Sequence, residues 1–173
     1  VNMPNWLPLT FKIESGEWFD LQSTDILSYR QELDLKKGIL IRTIVFRDKK
    51  KRTTQLKERR LVHMEHPHVA ALEMTVTPED WSGRLTVCSA LDGRVVNAGV
   101  ERYQDLNSDH LEPLSTKAFD EHAILLTVRT KQSKIRIAEA ARTHVLQDNK
   151  PLSVNTNTVE EPGYIAQLFD LDV

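Results

Sequence analysis

The groups best suited to metal chemistry are His63, His66 and His68, an H-x-x-H-x-H run around Pro67. Imidazoles at such spacing can hold a transition metal. Three residues across a turn do not make the rings converge, however, and no Cys/His signature accompanies them. They are read as histidines at strand ends, and no metal is expected. Two carboxylate pairs follow, Glu79–Asp80 and Glu160–Glu161. Glycosidic hydrolysis needs carboxylates on opposite sides of one bond. Adjacent residues in a turn cannot flank a substrate in that way, so both pairs read as solvated turn acids. The chain carries no G-x-S-x-G, no P-loop, no dinucleotide fingerprint and no Ser/His/Asp set. No catalytic residue is expected within it.

Sugar recognition is the other chemistry in view. A tryptophan face stacks on a pyranose, although tryptophans in β-proteins more often pack at the core or rim. Trp6, Trp18 and Trp81 are weighed on that basis, and Trp81 stands out inside the turn Pro78-Glu79-Asp80-Trp81-Ser82-Gly83. The stretch from Asn97 to Pro113 is polar and longer than most loops in compact domains. Within it Asn97, Arg102, Tyr103, His110 and Glu112 offer donors and acceptors suited to sugar hydroxyls or to an interdomain contact. Trp81 and these five residues are the candidate site.

The elements that must position them read as strands. Leu9, Phe11 and Ile13 alternate, Ser15-Gly16-Glu17 turns, and Trp18-Phe19 returns. Leu27 to Leu35 alternates again. From Gly38 to Gly93 four β-rich runs are separated by short turns, and neighbours this close pair antiparallel. Ile39 to Phe46 is apolar on both faces and is expected to be a central strand. Ala70, Leu72, Met74 and Val76 share one face, as do Leu85, Val87 and Leu91, which suits a sheet packed on a second sheet. Ile124, Leu126 and Val128 mark another strand. Residues 135–146 have an alanine-rich centre that favours helix, but β-branched ends, and are read as strand. Ser153 to Thr158 is read as a polar connector, and Gly163 to Leu171 as the last strand. About ten to twelve short strands without a long helix imply an all-β fold: one antiparallel β-sandwich of two large sheets over residues 1–173.

Composition narrows the function classes. The 173 residues carry a formal net charge of −2, which argues against a dedicated nucleic-acid or membrane-surface protein. Lys36 to Arg60 does hold eleven Lys or Arg against two acids. That band is read as solvated strand faces rather than a polyanion site. Cys88 is the single cysteine, read as a buried inert thiol. There is no signal-peptide pattern and no run near the ~18 apolar residues of a membrane span. The chain opens Val1-Asn2-Met3-Pro4, which reads as a segment of a longer polypeptide.

Five blocks together carry a resemblance. Asn5-Trp6-Leu7-Pro8-Leu9, Arg30-Gln31-Glu32-Leu33-Asp34-Leu35, Trp81-Ser82-Gly83, Ser89-Ala90-Leu91-Asp92-Gly93 and Asn97 through Pro113 resemble the N-terminal domain of glycoside hydrolase family 65. The family holds inverting phosphorylases of maltose, trehalose or kojibiose, and related hydrolases. The resemblance implies a large sandwich of the galactose-mutarotase-like type. It also implies an absent (α/α)6 barrel that carries the general acid and the site for inorganic phosphate, the co-substrate. No cofactor is implied. The expected partners are that barrel, a sugar and a second copy of the chain, without nucleic acid or membrane, in the cytoplasm. The expected role is non-catalytic support of the barrel and of assembly. A free-standing carbohydrate-binding module is the alternative, and a polyanion binder a third reading.

Overall fold

The computed structural model describes residues 2–97 and 108–173. Every regular element among them is a strand: β1 (Leu9–Ile13), β2 (Asp25–Asp34), β3 (Ile39–Arg47), β4 (Thr53–Val62), β5 (Ala70–Pro78), β6 (Arg84–Asp92), β7 (Leu111–Ala118), β8 (Ala123–Thr130), β9 (Arg136–Arg142), β10 (Leu146–Gln147), β11 (Lys150–Pro151), β12 (Asn155–Glu161) and β13 (Tyr164–Asp172). The sheets run β1-β6-β13-β12, β2-β3-β4-β5, β7-β8-β9 and the minimal hairpin β10-β11. The fold is an all-β antiparallel sandwich. It divides into two compact units, one made of residues 1–10 and 86–171, the other of residues 11–85 and 172–173.

In the first unit two sheets stack. Leu91 of β6 and Ile165 of β13 meet Leu111 of β7 and Ile124, Leu126 and Val128 of β8, all buried. The spacing of two along β8 is what turns these side chains to a single face. β8 is the middle strand of its sheet and its inward residues are sealed accordingly. Residues 136–142 form strand β9, whose partner residues on β8 run from Ala123↔Arg142 to Arg129↔Arg136. Pairing with β8 outweighs the alanine-rich helix preference.

One reading of the sequence needs correction here. The Asn/Thr-rich stretch taken as a connector is strand from Asn155 onward, paired residue by residue with β13 from Asn155↔Asp170 to Glu161↔Tyr164. Its composition disfavours a strand. The hairpin compensates, because Pro162 fixes its own φ and Gly163 takes the corner at φ 78. As an edge strand β12 keeps its polar side chains in water.

The second unit is built on β2-β3-β4-β5. β3 is an inner strand, as its two apolar faces predict. Register aligns Tyr29, Ile44, Leu56 and Val76 in one row across the sheet, and Ile26, Phe46, Thr54 and Pro78 in the next. Ile44, Phe46 and Leu56 are fully buried. The first hairpin closes through Phe19 N–H donating to the Phe11 carbonyl at 2.7 Å. Phe11, Phe19 and Phe46 then form an aromatic cluster with centroids 4.8 to 6.2 Å apart.

Candidate functional site

Trp81 lies in the second unit, in the turn that leaves β5. That turn is stitched to the start of β4. Glu79 N–H donates to the Thr53 carbonyl, Thr53 N–H donates to Asp80 Oδ1 at 2.7 Å, and Trp81 Nε1–H donates to Thr54 Oγ1 at 2.9 Å. The Thr53 amide holds the Asp80 carboxyl below the usual carboxylate range. Arg52 sits over the Trp81 ring, 5.4 Å from its centroid. The half-buried indole therefore has its N–H spent on a fully buried threonine and a guanidinium against one face.

Asn97, His110 and Glu112 belong to the first unit. Asn97 N–H donates to the Ser108 carbonyl at 2.9 Å, and its Oδ1 accepts from the Asn2 amide. The first of these bonds joins the residues that flank the stretch holding Arg102 and Tyr103, both of which lie outside the described residues. The loop is shorter than its sequence suggests, because Leu111 already opens β7. Glu112 is thus a strand residue opposite Arg129. Its Oε1 accepts from Arg129 Nε at 2.6 Å and from Lys134 Nζ at 3.2 Å. Arg129 first, then Lys134, holds the Glu112 carboxyl below its ordinary range. The His110 carbonyl accepts from Lys131 N–H, and Asp109 pairs with the Lys131 ammonium.

A shallow groove of about 370 Å³ begins at Pro113, and Glu112 is not part of its lining. Pro113, Ser115 and Thr116 of β7 form one wall; Glu160, Glu161 and Pro162 form the other. Pro113 sits at a β-bulge, where a missing N–H costs no ladder bond. Thr116 Oγ1 donates to Glu160 Oε2 at 3.2 Å, whereas Glu161 is bound to Arg94 at 2.6 Å. The same guanidinium lies 4.2 Å from the centroid of Tyr164. Hydroxyls and carboxylates flanked by proline rings can bind a polyol. The two adjacent glutamates do not face each other across a substrate.

The remaining sequence candidates resolve into local structure. His63 Nδ1 accepts from the backbone N–H of Glu65 and of His66, and the His63 and His66 rings stack at 4.9 Å. Among the described residues no group of three or more His, Cys, Asp or Glu is arranged to hold a metal. Part of the basic band is paired: Lys50 and Arg52 with Glu14, Lys49 with Glu17, Arg42 with Glu58 and Arg59 with Glu73. No helix of the described residues is long and apolar enough to cross a membrane.

Glu139 was not singled out from the sequence. It sits on β9 opposite Leu126, on the face that Ile137 and Ala141 turn toward the core. Its Oε2 is sealed and without a hydrogen-bond partner, and burial pushes the carboxyl up to about 7. The signal was in the alternation Ile137-x-Glu139-x-Ala141, which puts the carboxylate on the inner face.

The whole chain, residues 1–173, matches the N-terminal domain of glycosyl hydrolase family 65. The chain belongs to that family. An uncharacterized glycosyl hydrolase of Mycobacterium tuberculosis is 40% identical over 150 residues, covering 87% of this chain and 11% of that protein. Kojibiose phosphorylase of Thermoanaerobacter brockii is 30% identical over 152 residues, covering 87% of this chain and 19% of the enzyme. Alpha,alpha-trehalose phosphorylase of the same organism is 35% identical over 82 residues, covering 47% of this chain and 11% of the enzyme. The family 65 domain described here thus spans less than a fifth of the length of these relatives.

Proposed function

We propose that this family 65 chain is the non-catalytic β-sandwich segment of an inverting enzyme acting on α-linked glucosides such as kojibiose, trehalose or maltose. In a phosphorylase, inorganic phosphate is the co-substrate and binds outside this segment. The sandwich supports the (α/α)6 barrel of the same polypeptide, takes part in homo-oligomeric assembly and lends the end of β6 and the start of β7 as one wall of the sugar site. The enzyme works in the cytoplasm, without an organic cofactor.

The observation that carries this reading is the family match, to an N-terminal domain, over the full 173 residues. The carboxylates support it. A glycosidic general acid needs a raised pKa and access to the leaving oxygen. Glu112 is held low by Arg129 and Lys134, and Glu139, which is raised, has its Oε2 sealed in the sandwich.

The test is turnover by the purified chain with kojibiose, trehalose or maltose in the presence of phosphate. No release of glucose 1-phosphate or glucose is expected, and measurable turnover would overturn the reading. Calorimetry with the same sugars separates the alternative. Saturable binding lost in Trp81→Ala would favour a free-standing carbohydrate-binding module.

A further inference from the structure

β2 is the edge of its sheet, and among the described residues it has β3 as its only neighbour. Ten residues long, it carries no proline and exposes nearly every side chain, with Tyr29 47% and Leu33 56% accessible. An edge this long with unpaired N–H and C=O groups is a template for another strand. Natural sheets usually block such an edge with lysine, proline or a covering loop. β2 carries a bulge at Ile26/Ser28, which leaves Ser28 to Asp34 regular, and exposed charges at Asp25, Arg30 and Glu32, which are of both signs and so can meet complementary partners.

The sequence of that regular part fits its own reverse. Ser28-Tyr29-Arg30-Gln31-Glu32-Leu33-Asp34 laid antiparallel against a second copy, centred on Gln31, pairs Arg30 with Glu32 and Glu32 with Arg30. The same register sets Tyr29 opposite Leu33, twice, and Ser28 opposite Asp34. No like charges face each other. A shift of one residue toward the N-terminus, centred on Arg30, would instead set Arg30 against Arg30. Alternation also agrees. Tyr29, Gln31 and Leu33 share the face that carries Ile44 and Leu56, and a two-fold axis perpendicular to the sheet keeps that face on the same side in both copies. Arg30 Nε already donates to Glu32 Oε2 at 2.8 Å within one chain. Pairing two copies would convert two such isolated pairs into a four-charge cluster of alternating sign.

We propose that the β2 edge is a self-recognition surface: two copies of the chain join antiparallel through Ser28–Asp34 about a two-fold axis at Gln31, making one eight-stranded sheet. This deepens the assembly part of the function proposed above, and names the strand and register through which it would occur.

The experiment is sedimentation equilibrium of the purified chain from micromolar to millimolar concentration, with two charge variants and two cysteine variants. A concentration-dependent dimer is expected for the wild type. Arg30→Glu sets glutamates against each other at both symmetric positions and should weaken the dimer roughly tenfold or more. Adding Glu32→Arg to that variant restores complementary pairs and should restore the dimer. Circular dichroism of each variant checks that the sheet is intact. Gln31→Cys should cross-link two copies under mild oxidation, because residues facing each other across an antiparallel pair lie about 4.5–5.5 Å apart, within disulfide reach. Tyr29→Cys, whose partner is Leu33 of the second copy, should not. A monomer at every concentration would overturn both the edge and the assembly reading. A dimer that ignores the charge reversal, or that cross-links at residue 29 rather than 31, would overturn the β2 register while leaving assembly standing. Neither result bears on the turnover assay.

Discussion

Replacing Glu139 by glutamine should make the domain more stable at neutral and alkaline pH, and progressively less so toward acid. Unfolded, this carboxyl titrates near its ordinary value of 4.5; in the fold burial pushes it up to about 7. Between those values the folded state binds more protons than the unfolded state, so stability falls as pH rises through the window, and the loss is complete above about pH 7. At about 1.4 kcal/mol per pKa unit, discounted because the Glu139 side chain is only partly buried, the loss comes to about 1–2 kcal/mol. Glutamine keeps the shape and cannot ionise. In a chain of this size that difference corresponds to about 2–8 °C in melting temperature.

The assay is thermal unfolding of wild type and Glu139→Gln across pH, read as the difference between the two. The difference matters because other carboxylates act in the opposite direction. Glu14, Asp80, Asp109, Glu112 and Asp120 are held below their ordinary values by partners, so their stabilisation is lost as pH falls through their lowered values. That acid loss is common to both proteins and cancels. The variant should exceed the wild type at about pH 8 and converge with it near pH 4. A difference independent of pH would refute the reasoning, since it would mean that the Glu139 carboxylate is not paying a burial cost in the sandwich.

Other substitutions test the packing. Phe169→Ala, at a fully buried ring, should cost about 3–5 kcal/mol in urea unfolding. Gly163→Ala should lower the melting temperature, because the residue sits at φ 78 and an added Cβ would lie 3.0 Å from Pro113 Cγ. Trp81→Phe should cost about 1–2 kcal/mol by leaving the buried Thr54 hydroxyl without its donor. Thr54→Val in the Trp81→Phe background should recover part of that loss; no recovery would show that the indole N–H is not what holds this turn.

Period-two alternation made most strands legible, and the apolar character of Ile39 to Phe46 on both faces marked β3 as internal. What it did not reveal are the features set by partners distant in the chain. β12 is polar and rich in asparagine, and it is a strand because β13 pairs with it from Asn155 to Glu161. Glu139 was passed over because a charge in a β-run reads as solvent-facing, while its neighbours Ile137 and Ala141 put it on the inner face. The candidate site shows the same division. Trp81 was visible as an aromatic in a turn, but its partner Thr54 is 27 residues away. Glu112 was visible as a loop acid, yet the pairing of β7 with β8 makes it the partner of Arg129. Local sequence proposes the groups, and strand register decides what they touch.

The basic band shows that register at work. In sequence Lys36 to Arg60 is a run of eleven Lys or Arg against two acids, read as solvated strand faces. In the sheet Arg42 lies directly opposite Glu58, and Arg59 directly opposite Glu73, each joined by a side-chain ion pair. The exposed Arg59–Glu73 pair contributes only about 0–1 kcal/mol, so it is a weak source of stability. The effect of the two pairs on alignment is larger. Slipping β4 by one residue against either neighbour would break the facing pairs and turn Leu56 away from the face it shares with Ile44 and Val76. Charge and hydrophobicity therefore select the same register, and Arg42 and Arg59 are committed to partners within the sheet.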